Sequence, residues 1–310
     1  MKKNGRFAHG FLLTGEHGVG KKLTADYIAR ALLCDNCADG VPCGECRHCR
    51  RISENMHPDV IRPQRSGVKQ IYSRDTIRDV CADAIIAPND CDAKVYIFED
   101  CENIEETTQN LMLKLIEEPP DTVYFIFTAA DSSFFLPTIL SRVITFGIAE
   151  PTEEECRAVL RETGEYGEED ISDAVEAYHG NIGRCREYLS GGDAAEETAL
   201  CRGIIDAMLS GSEYNINKAV FNIGERRDRI KAVLTLTDKV IRDVCIIRLE
   251  GADKARLIGC YRQGAVRLAE TLSFRRAQAI HENLCRTMGY CNSNVNVPVA
   301  AAALSGALSG

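Results

Sequence analysis

Four cysteines, Cys34, Cys43, Cys46 and Cys49, stand in the spacing C-x8-C-x2-C-x2-C. Four thiolates so close together suit a closed tetrahedral Zn²⁺ site, which is structural because no coordination position is left open. Gly40, Pro42 and Gly44 supply the turns that let the backbone fold round an ion. Cys37, three residues beyond Cys34 in C-x2-C ligand spacing, and His48 compete for the fourth place. A second chemical signature precedes these cysteines. Gly15-Glu16-His17-Gly18-Val19-Gly20-Lys21-Lys22 fits G-x-x-x-x-G-K, a loop whose backbone N–H groups and following helix N-terminus cradle a phosphate chain. Lys21 takes the place that meets the β- and γ-phosphates. The next position calls for Ser or Thr, whose hydroxyl ligates Mg²⁺, but Lys22 stands there, and an ammonium has no lone pair to offer. Thr24 lies on another side of the helix. A third signature is Glu99-Asp100, where an Asp for the metal and a Glu to activate water would be expected in that order. Glu99 could reach a metal ion, and Asp100 is a short substitute for the base. Nucleotide binding at Gly15, Gly18, Gly20, Lys21, Lys22 and Glu99 is therefore expected to be weak at best, without efficient hydrolysis.

These groups need elements to hold them. Phe11–Thr14, Lys94–Phe98, Val123–Thr128 and Val143–Phe146 are short apolar runs, and Val60-Ile61 marks a fifth. Their continuity predicts strands covered on both faces. Helical stretches lie between them at Leu23–Leu33 and Ile104–Glu118, the latter stopped by Pro119-Pro120. Strands alternating with helices predict an α/β domain with a parallel sheet over 1–150. Beyond Pro151 the β-branched runs vanish. Glu153–Glu162 and Ile171–Leu189 read as a small helical unit over 151–192, Gly191-Gly192 as a linker, and 193–310 as a helical bundle. Its clearest apolar stripe is Ala232, Val233, Leu236, Val240, Ile241, Val244 and Ile247.

With 310 residues, 37 basic and 46 acidic groups and a net charge of -9, the chain is too acidic to be a general nucleic-acid binder. The balance is uneven: eight Lys/Arg (Arg47, Arg50, Arg51, Arg62, Arg65, Lys69, Arg74 and Arg78) fall within 47–78, and nine acids within 150–170. The basic stretch leaves open a zinc-dependent DNA-binding protein. Mean hydropathy is -0.17, and no apolar run approaches the ~20 residues that span a bilayer, so no membrane partner is expected. The basic N-terminus has no apolar segment after it to make it an export signal. Fifteen cysteines in such a chain read as thiols or metal ligands rather than disulfides. The ten outside 34–49 read as single small core residues.

Taken together, the chain resembles the bacterial DNA polymerase III clamp loader, a family of AAA+ ATPase-like subunits. The likeness rests on Ala8-His9-Gly10-Phe11-Leu12-Leu13 leading into the glycine loop and on the four-cysteine module just after the first helix. His57-Pro58-Asp59-Val60, Leu115-Ile116-Glu117-Glu118-Pro119-Pro120, Leu136-Pro137-Thr138-Ile139-Leu140-Ser141-Arg142 and Asn294-Val295-Asn296 extend it over nearly the whole chain. It implies an AAA+ core with an inserted zinc module (34–49), a helical lid and a C-terminal collar that packs subunits into a ring.

Within the family the departures resemble the delta-prime stator rather than the gamma/tau motor, the alternative being an active ATPase of gamma/tau type. Lys22 and Glu99-Asp100 are two of them. Ala129 stands where a motor has its polar sensor, Gly180-Asn181-Ile182-Gly183-Arg184 is unlike a motor's second sensor helix, and no long tail follows the collar. The resemblance also implies that Arg142 is an arginine finger, projected in trans toward the γ-phosphate held by a neighbouring subunit, although Val143 replaces the motif's cysteine. It implies gamma/tau and delta partners in a hetero-oligomeric ring, contact with the sliding clamp and primer-template DNA through that complex, and a cytoplasmic location. It implies no independent ATPase, but membership of a DNA-directed DNA polymerase (nucleotidyltransferase) holoenzyme. Family members carry some twenty residues before Ala-His-Gly where this sequence has seven, which predicts a weakened adenine pocket.

Overall fold

The structure, a computed structural model, describes residues 8–67, 71–252, 255–291 and 296–309. Lys69 of the basic stretch and Asn294-Val295 of the last motif lie outside them. The chain divides into two compact units, Met1–Ala149 and Glu150–Gly310.

The first unit alternates strand and helix in the order β1 (Gly10–Thr14), α1 (Lys21–Leu33), α2 (Arg47–Ser53), β2 (Val60–Ile61), α3 (Arg74–Asp83), β3 (Lys94–Phe98), α4 (Glu106–Glu117), β4 (Val123–Ala129), α5 (Pro137–Leu140) and β5 (Ile144–Gly147). All four strand pairings are parallel, and the sheet order is β2-β3-β4-β1-β5. Side chains alternate between the faces of the sheet. Leu12, Tyr96, Phe98, Phe125 and Phe127 pack under Ile77 and Val80 of α3, Met112 and Ile116 of α4 and Ile139 of α5. Phe11, Leu13, Val95, Ile97 and Ile126 pack against Ala25, Ala29 and Leu33 of α1 and Ile52 of α2. The aromatic rows run across strands, with Tyr96 on Phe125 (5.5 Å) and Phe98 on Phe127 (5.2 Å).

One strand departs from the expectation of two-sided cover. All four residues of β5 are exposed, Ile144 and Phe146 at 45% each, because β5 is the sheet edge and, among the described residues, pairs with β1 alone. Helices α2 and α3 have no counterpart in the sequence reading. Each is short and capped by the residue before it: Cys46 Sγ accepts from Cys49 N, and Ser73 Oγ accepts from Thr76 N.

The second unit is helical: α6 (Glu153–Glu162), α7 (Glu168–Tyr178), α8 (Ile182–Leu189), α9 (Asp193–Leu209), α10 (Glu213–Phe221), α11 (Arg227–Glu250), α12 (Arg262–Thr271), α13 (Phe274–Cys291) and α14 (Val297–Ser309). One apolar cluster runs through these helices from Cys156 to Leu308. Thr152 and Glu155 form a capping box at the start of α6. The helix expected over Ile171–Leu189 is broken at His179-Gly180-Asn181. A Cβ on Gly180 would sit 1.6 Å from the Pro151 carbonyl oxygen, so only glycine passes there, and Asn181 starts α8 by accepting from Arg184 N at 3.1 Å. No helix among the described residues is long and apolar enough to cross a membrane.

Candidate functional site

The glycine-rich loop leaves the C-terminal end of β1, beside the ends of β4 and, one strand further, β3. Crevices at strand C-termini in such sheets are where ligands bind. Gly15 adopts φ 151° with its N–H on Ala130 O at 3.2 Å, and Gly20 (φ 96°) turns the chain into α1. Lys21 is buried, and its Nζ donates to Gly15 O (2.6 Å) and Glu16 O (2.9 Å), so the loop closes on its own ammonium. Burial lowers the Lys21 pKa.

Lys22 points to the end of β3, where its Nζ lies 2.9 Å from Glu99 Oε2 and 3.1 Å from Asp100 Oδ2. Burial works against its charge, but the hydrogen bonds it donates to both carboxylates outweigh that and raise its pKa. Two further cations converge on the same acids. Arg62 donates to Glu99 Oε1 at 2.9 Å and pairs with Asp26, and Arg65 lies 3.2 Å from Asp100 Oδ2. Lys22, Arg62 and Arg65 thus match Asp26, Glu99 and Asp100 charge for charge. A divalent cation entering this cluster would have to displace protein ammonium and guanidinium groups. The strand end is held firmly. Tyr72 Oη donates to Glu99 O (2.8 Å) and accepts from Glu99 N (2.7 Å), while Asp100, in a left-handed turn at φ 51°, donates its N–H to Thr128 Oγ1. Thr24 Oγ1 donates to Gly20 O, within its own helix. Ala129 is fully buried at the end of β4.

Cys34, Cys43, Cys46 and Cys49 converge, with their sulfurs all within 4.8 Å of one another; Cys37 and His48 are not among them. Cys34 Sγ is 3.5 Å from Cys43 Sγ and 3.9 Å from Cys46 Sγ. Bonds of ~2.3 Å to a tetrahedral zinc place sulfurs roughly 3.8 Å apart. Three backbone N–H groups point at them: Cys43 N at Cys34 Sγ, Cys46 N at Cys43 Sγ and Cys49 N at Cys46 Sγ, at 3.3–3.4 Å. Although burial opposes it, backbone N–H groups of Cys49 and Asp35 bring the Cys46 thiol down to about 6. Burial lifts Cys49 to about 12.

His48 instead ties this module to the segments that lead into β2 and β3. His57 Nδ1 accepts from Asp59 N (3.1 Å), which assigns the ring proton to Nε2, 2.9 Å from His48 Nδ1; Cys91 Sγ lies 3.1 Å from that nitrogen. Beside them the fully buried Asp59 carboxylate accepts from the backbone N–H groups of Asn89, Asp90 and Cys91 and from Asn89 Nδ2. Burial works against its charge, and these donors overcome it and hold its pKa below the usual value. Arg47 and Arg51 both pair with Asp90. Five of the arginines in the basic stretch, Arg47, Arg51, Arg62, Arg65 and Arg78, are therefore engaged within the chain, which weakens the case for a DNA-binding face.

Arg142 follows the single turn of α5. It is held by Glu117 Oε1 (2.9 Å), Thr138 O (2.8 Å) and Ser141 Oγ (2.8 Å), with 38% of its side chain exposed. In the second unit Arg184 pairs with Glu187 and Glu197 and lies over the Tyr178 ring. Sequence reasoning missed Arg62, Arg65, Tyr72 and Glu117. The first two were counted as basic surface, and only the placement of β2 beside β3 reveals their partners. Glu117 lies in one of the family motifs, but its pairing with Arg142 is visible only in the fold, and Tyr72 carries no signal in the sequence.

The fold and site define a parallel α/β unit with a glycine-rich loop at its centre and a four-thiol module beside it. Residues 1–152 match the family described as "DNA polymerase III, delta subunit", and the first unit, which they span, belongs to the DNA polymerase III clamp-loader family. It is 32% identical over 156 residues to DNA polymerase III subunit tau of Escherichia coli K12, covering 50% of this chain and 24% of that protein. It is 31% identical over 137 residues to the delta' subunit of Pseudomonas aeruginosa, covering 44% of this chain and 42% of that one. The solved structure of a gamma subunit-related protein from Thermotoga maritima aligns over 97% of this chain and 93% of its own, at 16% identity and a TM-score of 0.48. The chain spans about a quarter to a half of the length of the curated relatives it matches.

Proposed function

We propose that this chain is the delta-prime, non-motor subunit of a DNA polymerase III clamp loader, working in DNA replication. One observation carries the reading. The Lys22 ammonium lies on Glu99 and Asp100, the two acids that a hydrolysing site would offer to Mg²⁺. Arg62 and Arg65 reinforce it. In this reading 1–150 is the AAA+ core, 151–192 the lid and 193–310 the collar that joins gamma/tau and delta subunits in a ring. The sliding clamp and primer-template DNA are met through that assembly. Arg142 serves a neighbour's nucleotide, where a guanidinium stabilises charge spread over the transferring phosphoryl group. Glu117 and the α5 turn hold it partly exposed rather than loose. Structural zinc sits on Cys34, Cys43, Cys46 and Cys49, whose donor set and N–H···S bonds suit it.

The test is ATP turnover. The purified chain should hydrolyse ATP negligibly. In an assembly rebuilt with gamma/tau and delta subunits, Arg142→Ala should lower turnover at the adjoining site by ~10³-fold or more. Brisk Mg²⁺-dependent hydrolysis by the lone chain, abolished by Lys21→Ala, would overturn the reading. It would favour a gamma/tau-type ATPase, the name borne by several relatives.

A further inference from the structure

A second group of metal-ligand side chains lies in the helical unit, outside everything described so far. Asp238 on α11, His281 and Cys285 on α13 each bring one ligand atom to within 4.8 Å of the others. His281 and Cys285 are four residues apart, which places them on one helical face. Helices α11 and α13 pack on each other, and Val233 and Val240 of α11 and Ile280 and Leu284 of α13 belong to one buried core. The scaffold behind the three side chains is therefore rigid, and only their exposed ends need adjust. His281 Nδ1 lies 2.6 Å from Asp238 Oδ1, and Cys285 Sγ is 3.8 Å from Nδ1 and 3.7 Å from Nε2.

From this geometry we infer that Asp238, His281 and Cys285 form a transition-metal site for a zinc-like divalent cation. Imidazole, thiolate and carboxylate together select a borderline ion over Mg²⁺ or Ca²⁺. Bonds of ~2.0 Å to nitrogen and oxygen require those two atoms to stand roughly 3.3 Å apart. The His281–Asp238 hydrogen bond therefore opens as the cation enters, and the Cys285 thiol gives up its proton to solvent. Three protein ligands leave a fourth position to water, unlike the closed set of four thiols. The cation here is exchangeable, and the vacant position accepts a further donor.

Zinc and cobalt are the probes, added to the full chain after exhaustive chelation. The expected result is two zinc equivalents with affinities at least a hundredfold apart. Cys285→Ser and His281→Ala should each abolish the weaker equivalent and leave the tighter one. Cys46→Ser should do the reverse, which separates this site from the proposed zinc module. Cobalt in the Cys46→Ser chain should show a thiolate charge-transfer band that disappears when Cys285→Ser is added. If Cys285→Ser binds as much zinc as the parent chain, or if no band appears with Cys46→Ser alone, the site does not exist.

Discussion

Two regions of the first unit carry the residue types that hold metals, and they have gone opposite ways. In the loop 34–49 four thiols converge with backbone N–H groups turned toward their sulfurs. Among the described residues, the hydrogen bonds that reach those sulfurs come from backbone N–H groups and neighbouring thiols. At the end of β3 two carboxylates are covered by Lys22, Arg62 and Arg65. Donor atoms alone do not make a cation site. What decides is whether the chain has already spent its own cations on them.

The largest effect should come from the thiols. Structural zinc contributes on the order of 10 kcal/mol to small metal modules. Cys46→Ser should therefore lose the tightly held zinc and lower the melting temperature by several degrees, while Cys37→Ser should change neither. Equal loss in both variants would mean the ligand set is wrong.

The buried anchor beside that module comes next. Asp59→Ala strips an acceptor from three backbone donors and one side chain. Leaving buried donors unsatisfied should cost about 3 kcal/mol in denaturant unfolding. The pH dependence has a definite sign. The folded pKa of Asp59 is depressed, so its contribution is complete above the unfolded value of about 4 and fades as pH falls through the lower folded value. The gap between parent and Asp59→Asn should hold near pH 6 and shrink below pH 4. A constant gap would show that the charge is irrelevant.

The β3 site responds in two stages. With Lys22→Thr alone, Arg62 and Arg65 still face the acids, so hydrolysis should rise less than ~10-fold. Stability should move by no more than ~1 kcal/mol, because half of the Lys22 side chain is exposed. Adding Arg62→Ala and Arg65→Ala uncovers Glu99 and Asp100, and Mn²⁺ should then bind measurably by paramagnetic relaxation. Mn²⁺ binding by the unaltered chain would erase the contrast between the regions.

Much of this was legible in the chain itself. Lys94–Phe98 and Glu153–Glu162 form as expected, because apolar runs and a capping box act over a few residues. The cysteine spacing named the four thiols that converge. Other features depend on parts of the chain far apart in sequence. The partners of Arg62 and Arg65 follow from sheet order. The break at Gly180 follows from a carbonyl twenty-nine residues earlier. Nor do all ten remaining cysteines act singly as core. Cys156 touches Cys185 at 3.8 Å and Cys201 touches Cys260 at 3.6 Å, while Cys285 is exposed. Such pairings arise from helix packing, which periodicity cannot show.

The uncovered rim strand β5 has a practical consequence. Among the described residues its outer backbone groups meet no neighbouring strand, and Ile144 and Phe146 sit there without a charge or proline within the strand to discourage adhesion. In a concentrated solution of the isolated chain, aggregation should start at this rim, and Ile144→Lys should keep such a preparation clear for longer.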